Sequence, residues 1–210
     1  MPSYKLYYFD FRGLAELPRL IFKQAGVDFQ DIRFSREEWP QHKPDFPLKT
    51  VPVLEVDGRQ ITQSMAITRY LAKEFGLFGS NNIEALLIDE LMEIFAEIRN
   101  NHLGKIYSEQ DETKKTELIN AFKTTNAPVY FNLVEKRMKE NKSGSGFYVG
   151  AKVSVADLLI YNSMFAIRDR LKKTGVDLFE GRTLFEEHYK RVDALPNIAK
   201  WVKERKVTDL

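Results

Sequence analysis

Hydrophobic and polar positions switch between strand and helix periods in the first third of this chain and keep the helical period after it. Residues 4–9 (Tyr-Lys-Leu-Tyr-Tyr-Phe) form an aromatic-rich run that predicts a strand. From Gly13 to Ala25, Leu14, Leu17 and Ile21 recur at helical spacing, and Gly26 is a natural left-handed stop. A second strand is expected near Phe29–Phe34. Residues 53–56 and 59–61 then flank Asp57-Gly58, a strong short-range hairpin signal. Ile67, Leu71 and Phe75 follow on one helical face. The first third therefore predicts β-α-β followed by β-β-α.

Residues 75–82 (Phe-Gly-Leu-Phe-Gly-Ser-Asn-Asn) break the pattern, and everything beyond them predicts helix. Ile83, Leu87, Leu91, Ile94 and Ile98 trace an apolar stripe, with Glu90, Glu93 and Glu97 as an acidic one. Leu118, Phe122, Val129, Leu133 and Val134 predict another long helix, bent near Pro128. Ser154-Val-Ala-Asp157 is a capping-box pattern, and Pro196 opens a last short helix carrying Ile198, Trp201 and Val202. The expected fold class is α/β plus all-α: a first domain over 1–76, a linker over 77–82 and an all-helical domain over 83–210.

Composition narrows the chemistry. The chain has 210 residues, 43% hydrophobic and 30% charged, with a formal net charge of +2. That near-balance argues against nucleic-acid or anionic-membrane partners held by bulk charge. Cysteine is absent, which excludes disulfides, thiolate metal sites and cysteine nucleophiles. His42, His102 and His188 lack ligand-like spacing, so no metal is expected. No run approaches the roughly 20 apolar residues that span a bilayer, and Met-Pro-Ser-Tyr-Lys enters a strand without a signal-like region. A soluble, cytoplasmic protein is expected.

Candidate chemistry concentrates in Val51-Pro52-Val53-Leu54-Glu55 and the Gln63-Ser64-Met65-Ala66-Ile67 that follows the hairpin. Proline cannot donate to a ladder, so Pro52 belongs at a strand start. A cis Val51-Pro52 bond would turn the backbone groups of Val51 outward, where they can pair with a peptide-like ligand. Ser64 is expected to cap a helix whose N–H groups attract a carboxylate. Together these features describe a site for one end of a small anionic peptide.

Those two motifs, with Tyr4-Lys5-Leu6-Tyr7-Tyr8-Phe9, Arg12-Gly13-Leu14-Ala15-Glu16, Glu38-Trp39-Pro40 and Val153-Ser154-Val155-Ala156-Asp157, recur in order at one family's spacing. The chain resembles cytosolic glutathione S-transferases from end to end, most of all the sigma class of nematode and mollusc enzymes and glutathione-dependent prostaglandin D synthase. The resemblance implies an N-terminal thioredoxin-like domain, a helical second domain and a homodimer. It implies glutathione as co-substrate, no tightly bound cofactor, no metal, and a hydrophobic electrophile as second substrate.

Residue by residue, the resemblance makes Tyr8 the group whose hydroxyl stabilises the glutathione thiolate. Gln63 and Ser64 would bind the γ-glutamyl end, Val51 and Pro52 the cysteinyl backbone, and Trp39 and Lys43 the glycine end. Relatives often carry a Lys or Gln at the position of Thr50, so contact there would come from Thr50 or from Lys49. Glu97 would reach across the dimer to the partner's glutathione. The electrophile pocket would draw on Phe9, Phe11, Leu14, Gly104 and Tyr107. Prostaglandin synthase has an arginine at the position of Leu14, which argues against prostaglandin isomerisation here. Two further roles of the fold stay open: a lens-crystallin-like structural protein and a carrier of haem or hydrophobic ligands. Ser154 and Asp157 are assigned to helix capping.

Overall fold

The computed structural model describes residues 2–208. Contacts divide the chain into two compact units, one running to Leu77 and resuming at Asp193, the other spanning Phe78–Val192. The α/β plus all-α class holds.

In the first unit, β1 (Tyr4–Phe9), α1 (Glu16–Ala25) and β2 (Gln30–Phe34) form the expected β-α-β. The short α2 (Trp39–His42), then β3 (Val53–Val56), β4 (Arg59–Thr62) and α3 (Ser64–Glu74) complete it. Among the described residues the strands make one mixed sheet in the order β2-β1-β3-β4. β1 runs parallel to β2 and antiparallel to β3, and β3 runs antiparallel to β4. Asp57 and Gly58 both take positive φ (47° and 83°), as the tight hairpin requires. The period-2 alternation of β1 buries Tyr4, Leu6 and Tyr8 on one face. On that face Tyr4 meets the ring of Phe22 from α1 at 5.3 Å. The opposite face carries Tyr7, which lies edge-on to Phe46 at 5.2 Å.

The first helix starts tighter than the spacing predicts. Gly13–Ala15 form a 3-10 turn, closed by the Glu16 N–H on the Gly13 carbonyl, and α1 proper begins at Glu16. Pro18 lies in that first α-helical turn, where its missing N–H costs little. Gly26 ends α1 at φ 68°, as expected.

The second unit holds α4 (Asn82–Glu97), α5 (Gly104–Ser108), α6 (Glu112–Ala121), α7 (Ala127–Glu140), α8 (Val155–Leu171) and most of α9 (Thr183–Asp193). Its core corrects two expected stripes. In α4 the buried face is Ile88, Leu91, Met92 and Phe95, continuing to Ile98, whereas Ile83 is 66% exposed. Both stripes share Leu91 and Ile98, and the one with the larger side chains turns inward. Of the expected α6–α7 positions, Phe122 and Val134 are buried but Val129 is 69% exposed. Where a bend is expected, the structure has a π-helical segment, Phe122–Asn126, and Pro128 sits harmlessly in the first turn of α7 just after it.

Contacts tie the last helix to the first unit. α10 (Pro196–Glu204) groups with the first unit, because Ile198 is buried and Trp201 Nε1 donates to the Glu16 carboxylate of α1 at 3.0 Å. No helix among the described residues is long and apolar enough to cross a membrane.

Candidate active site

Strand register alone gathers the expected residues of the first unit at one end of the sheet. Tyr7 pairs with Val53, so Tyr8 and Pro52 come next in register. Val53 also pairs with Thr62, so Gln63 follows directly beside that end of β3. Phe9 pairs with Phe34 at the end of β2, and the chain then leads into α2 and Trp39.

Tyr8 points to the α1 face, within a cluster of Leu6 and Ala15 against which Phe9, Phe11 and Val51 pack. Its ring is 5% exposed, and its phenol oxygen accepts the Leu14 backbone N–H at 3.1 Å. Accepting that bond polarises the hydroxyl and makes it a stronger donor. Gly13, at φ 42°, permits this approach: a Cβ there would lie 2.5 Å from the Tyr8 oxygen and 2.7 Å from the ring of Phe11. The Arg19 guanidinium lies 6.0 Å from the Tyr8 ring centroid.

Phe9 and Phe11 stack at 5.6 Å, with their planes 4° apart, and Phe9 meets Trp39 edge-on at 5.4 Å. Trp39 in turn stacks on Phe46 at 5.7 Å. Lys43 and Lys49 bracket Phe46: its N–H donates to the Lys43 carbonyl, and its carbonyl accepts from Lys49 N–H at 3.0 Å. Lys43, Lys49 and Thr50 are exposed, and Lys49 has φ 52°. The structure thus brings Tyr8, Phe9, Phe11, Leu14, Trp39, Val51 and Pro52 together, with the two lysines and Thr50 on the adjoining loop. The Val51-Pro52 bond is cis.

Ser64 is not the helix cap. Gln63 takes that position at φ 72° and ψ 107°, without a side-chain capping bond. Its carbonyl already accepts the first helical bond, from Ile67 N–H at 3.0 Å, so Ser64 falls one residue inside α3. The helix N-terminus nevertheless opens at the end of the sheet that carries Tyr8, with Gln63 exposed. Its unbonded N–H groups suit an anionic ligand.

Glu97, Gly104 and Tyr107 belong to the second unit. Glu97 accepts from the Tyr130 hydroxyl at 2.9 Å, and the same hydroxyl lies 3.3 Å from His102 Nε2. Burial pushes His102 below its ordinary pKa, with Lys105 adding to the effect and Glu97 opposing it. In the acidic stripe, Arg137 grips Glu90 through two bonds of 2.8 and 2.9 Å. Gly104 opens α5 and is exposed. Burial pushes Tyr107 up to about 12, and the Arg170 guanidinium sits 4.6 Å from its ring.

Some supporting residues carry only faint sequence signals. Ser35 and Glu38 exchange bonds of 3.0 and 3.1 Å that fix the entry to α2; their S-x-x-E spacing is a capping-box signature. Arg19 is fully buried, donating from Nε to both Asp31 oxygens at 3.1 Å and from Nη1 to the Phe11 carbonyl at 3.0 Å. Helical periodicity offers no sign that a charged residue would lie there.

Comparison with known proteins agrees with this layout. A glutathione S-transferase N-terminal domain model matches residues 4–73, and a glutathione S-transferase C-terminal domain model matches residues 96–205. The chain is 39% identical over 212 residues to glutathione S-transferase 1 of Ascaris suum, covering 99% of both chains. It is 38% identical over 215 residues to S-crystallin SL11 of Nototodarus sloanii, again with 99% of each covered. The solved sigma class transferase of Fasciola hepatica superposes with a TM-score of 0.87 at 28% identity, covering 100% of this chain and 99% of that one. The chain belongs to the glutathione S-transferase family.

Proposed function

We propose that this protein is a sigma-like glutathione transferase in which Tyr8 donates a hydrogen bond to the sulfur of glutathione and holds it as a thiolate. The observation that carries this reading is the 3.1 Å bond from Leu14 N–H to the Tyr8 oxygen, made at the sheet end shared with Pro52 and Gln63. A free thiol has a pKa of about 8.5, so only about 3% is ionised at pH 7. Lowering that value by roughly two units stabilises the thiolate by about 2.7 kcal/mol. One hydrogen bond to a charged group is worth about 1.5–3 kcal/mol, so a single hydroxyl accounts for most of the shift.

Gln63, Ser64 and the α3 N-terminus bind the γ-glutamyl carboxylate, and the Val51 backbone beside Pro52 pairs with the cysteinyl unit. Trp39, Lys43 and Lys49 or Thr50 hold the glycine end. The bound thiolate attacks a hydrophobic electrophile lying against Phe9, Phe11 and Leu14. Catalysis is thiolate stabilisation plus proximity, with no covalent enzyme intermediate. The working form is a cytoplasmic homodimer in which Glu97 reaches the partner's glutathione.

A second reading has its own support: the similarity to S-crystallin SL11 keeps a structural role open. One experiment separates them. The protein is passed over immobilised glutathione and then assayed with a chloronitrobenzene electrophile. Retention with turnover supports the transferase; failure of both supports the structural protein. Quenching of tryptophan fluorescence by haem, together with weak turnover, supports a carrier instead.

A further inference from the structure

The loop from Asp10 to Ala15, which supplies the N–H held by Tyr8, is braced by α10 and the residues just after it. Glu16 closes the Gly13–Ala15 turn with its backbone N–H. Its carboxylate is 1% exposed and fully engaged. Oε1 accepts from Trp201 Nε1 at 3.0 Å and from Arg205 Nη1 at 2.7 Å, while Oε2 lies 3.5 Å from Arg19 Nη1. The same Arg19 nitrogen donates to the carbonyls of Phe11 and Arg12 at 3.0 and 3.3 Å. At the other end of the loop, Asp10 is paired with Arg33 at 3.3 Å and with the Lys206 ammonium.

Buried carboxylates are costly unless fully bonded, so this arrangement is held together as a unit. Its two ends straddle the Leu14 N–H. A shift of a few tenths of an ångström in the turn would lengthen the bond to Tyr8. Gly13 already lies too close to the phenol for even a methyl group.

We propose that Glu16, gripped by Trp201 and Arg205, is a positioning residue for the reaction: it fixes the turn that orients the Tyr8 hydroxyl toward the glutathione sulfur. The inference rests on the transferase reading above. It adds that residues near the C-terminus, remote in sequence from Tyr8, set the strength of the thiolate bond.

The test compares Arg205→Met and the milder Trp201→Phe, which keeps an aromatic ring but loses the bond to Glu16. Each is made in the wild-type and Tyr8→Phe backgrounds. The readouts are the ultraviolet absorbance of glutathione thiolate on the protein across pH, and kcat and KM with a chloronitrobenzene. Loss of one such bond should raise the apparent pKa of the bound thiol and lower kcat near pH 6.5 by about threefold to tenfold. KM for glutathione should stay within about twofold, because the brace touches no ligand atom. In the Tyr8→Phe background neither variant should change the thiol pKa.

An unchanged thiol pKa in a folded Trp201→Phe protein overturns the inference. So does an equal shift with and without the Tyr8 hydroxyl, which would mark a merely structural role. If the unmutated protein itself leaves glutathione titrating as the free thiol, the transferase reading fails first and takes the inference with it. Wild-type behaviour as proposed, with silent brace variants, removes the inference alone.

Discussion

Tyr8 joins two facts that neither strand periodicity nor composition supplies together. Alternation along β1 sends it to the α1 face, and the turn at Gly13 brings a backbone N–H onto its oxygen at 3.1 Å. Tyr8→Phe should lower kcat about tenfold to a hundredfold, the range of one hydrogen bond to an anion, while glutathione affinity changes little. Steady-state kinetics with a calorimetric Kd would check both halves. Gly13→Ala meets the same contact from the other side. It places a Cβ where only 2.5 Å is available and forces φ 42° on an L side chain. A loss of about 1–3 kcal/mol of stability is expected in urea unfolding, together with reduced turnover. The family motif marks Tyr8, but nothing in the spacing shows that Gly13 must be bare. That need arises from a contact between residues on different elements.

Among the helices, α8 owes its start to a capping box legible in the sequence, Ser154 with Asp157. The structure makes Asp157 more than a cap. Its Oδ1 accepts from Tyr148 N–H at 2.6 Å and meets His188 Nε2 at 2.8 Å; Oδ2 accepts from Ser154 N–H and Oγ at 2.7 and 2.9 Å. Asp157→Ala would strand several buried donors at once, so a loss of about 3 kcal/mol or more is expected, with the thermal midpoint as readout. His188 could not be linked to Asp157 from sequence, because the pairing joins α9 to α8 across a long separation. Local signals fared better. The Asp57-Gly58 hairpin, the Gly26 stop and the separate β-α-β and β-β-α stretches all depend on neighbours and appear as expected, while the short α2 between them is not foreseen. The Ser64 cap failed because the carbonyl of Gln63, held at positive φ, begins the helix one residue sooner than the serine pattern suggests.

At the scale of the molecule, the chain returns to its beginning. Helical periodicity cannot tell which unit a helix will join, and α10 joins the first. Ile198→Ala should therefore open a cavity costing about 2–5 kcal/mol and weaken amide-exchange protection in α1 before α8. The Asp10–Lys206 pair adds a pH signature. The Lys206 ammonium, helped by Arg33 and opposed by desolvation, holds the Asp10 carboxyl below its usual range. A lowered native pKa stabilises the fold above the unfolded value of about 3.9, and that contribution is lost as pH falls through the native value. The stability gap between wild type and Lys206→Met should stay level from about pH 5 to 7 and shrink in stronger acid. Tyr8 acts on the sulfur, and the pH titration of glutathione bound to wild type and to Tyr8→Phe reads that action at its source. The bound thiol should ionise at about pH 6.5 in wild type and return toward about 8.5 without the hydroxyl. A bound thiol that titrates near its free value in wild type, or identically in both proteins, would contradict that role of Tyr8.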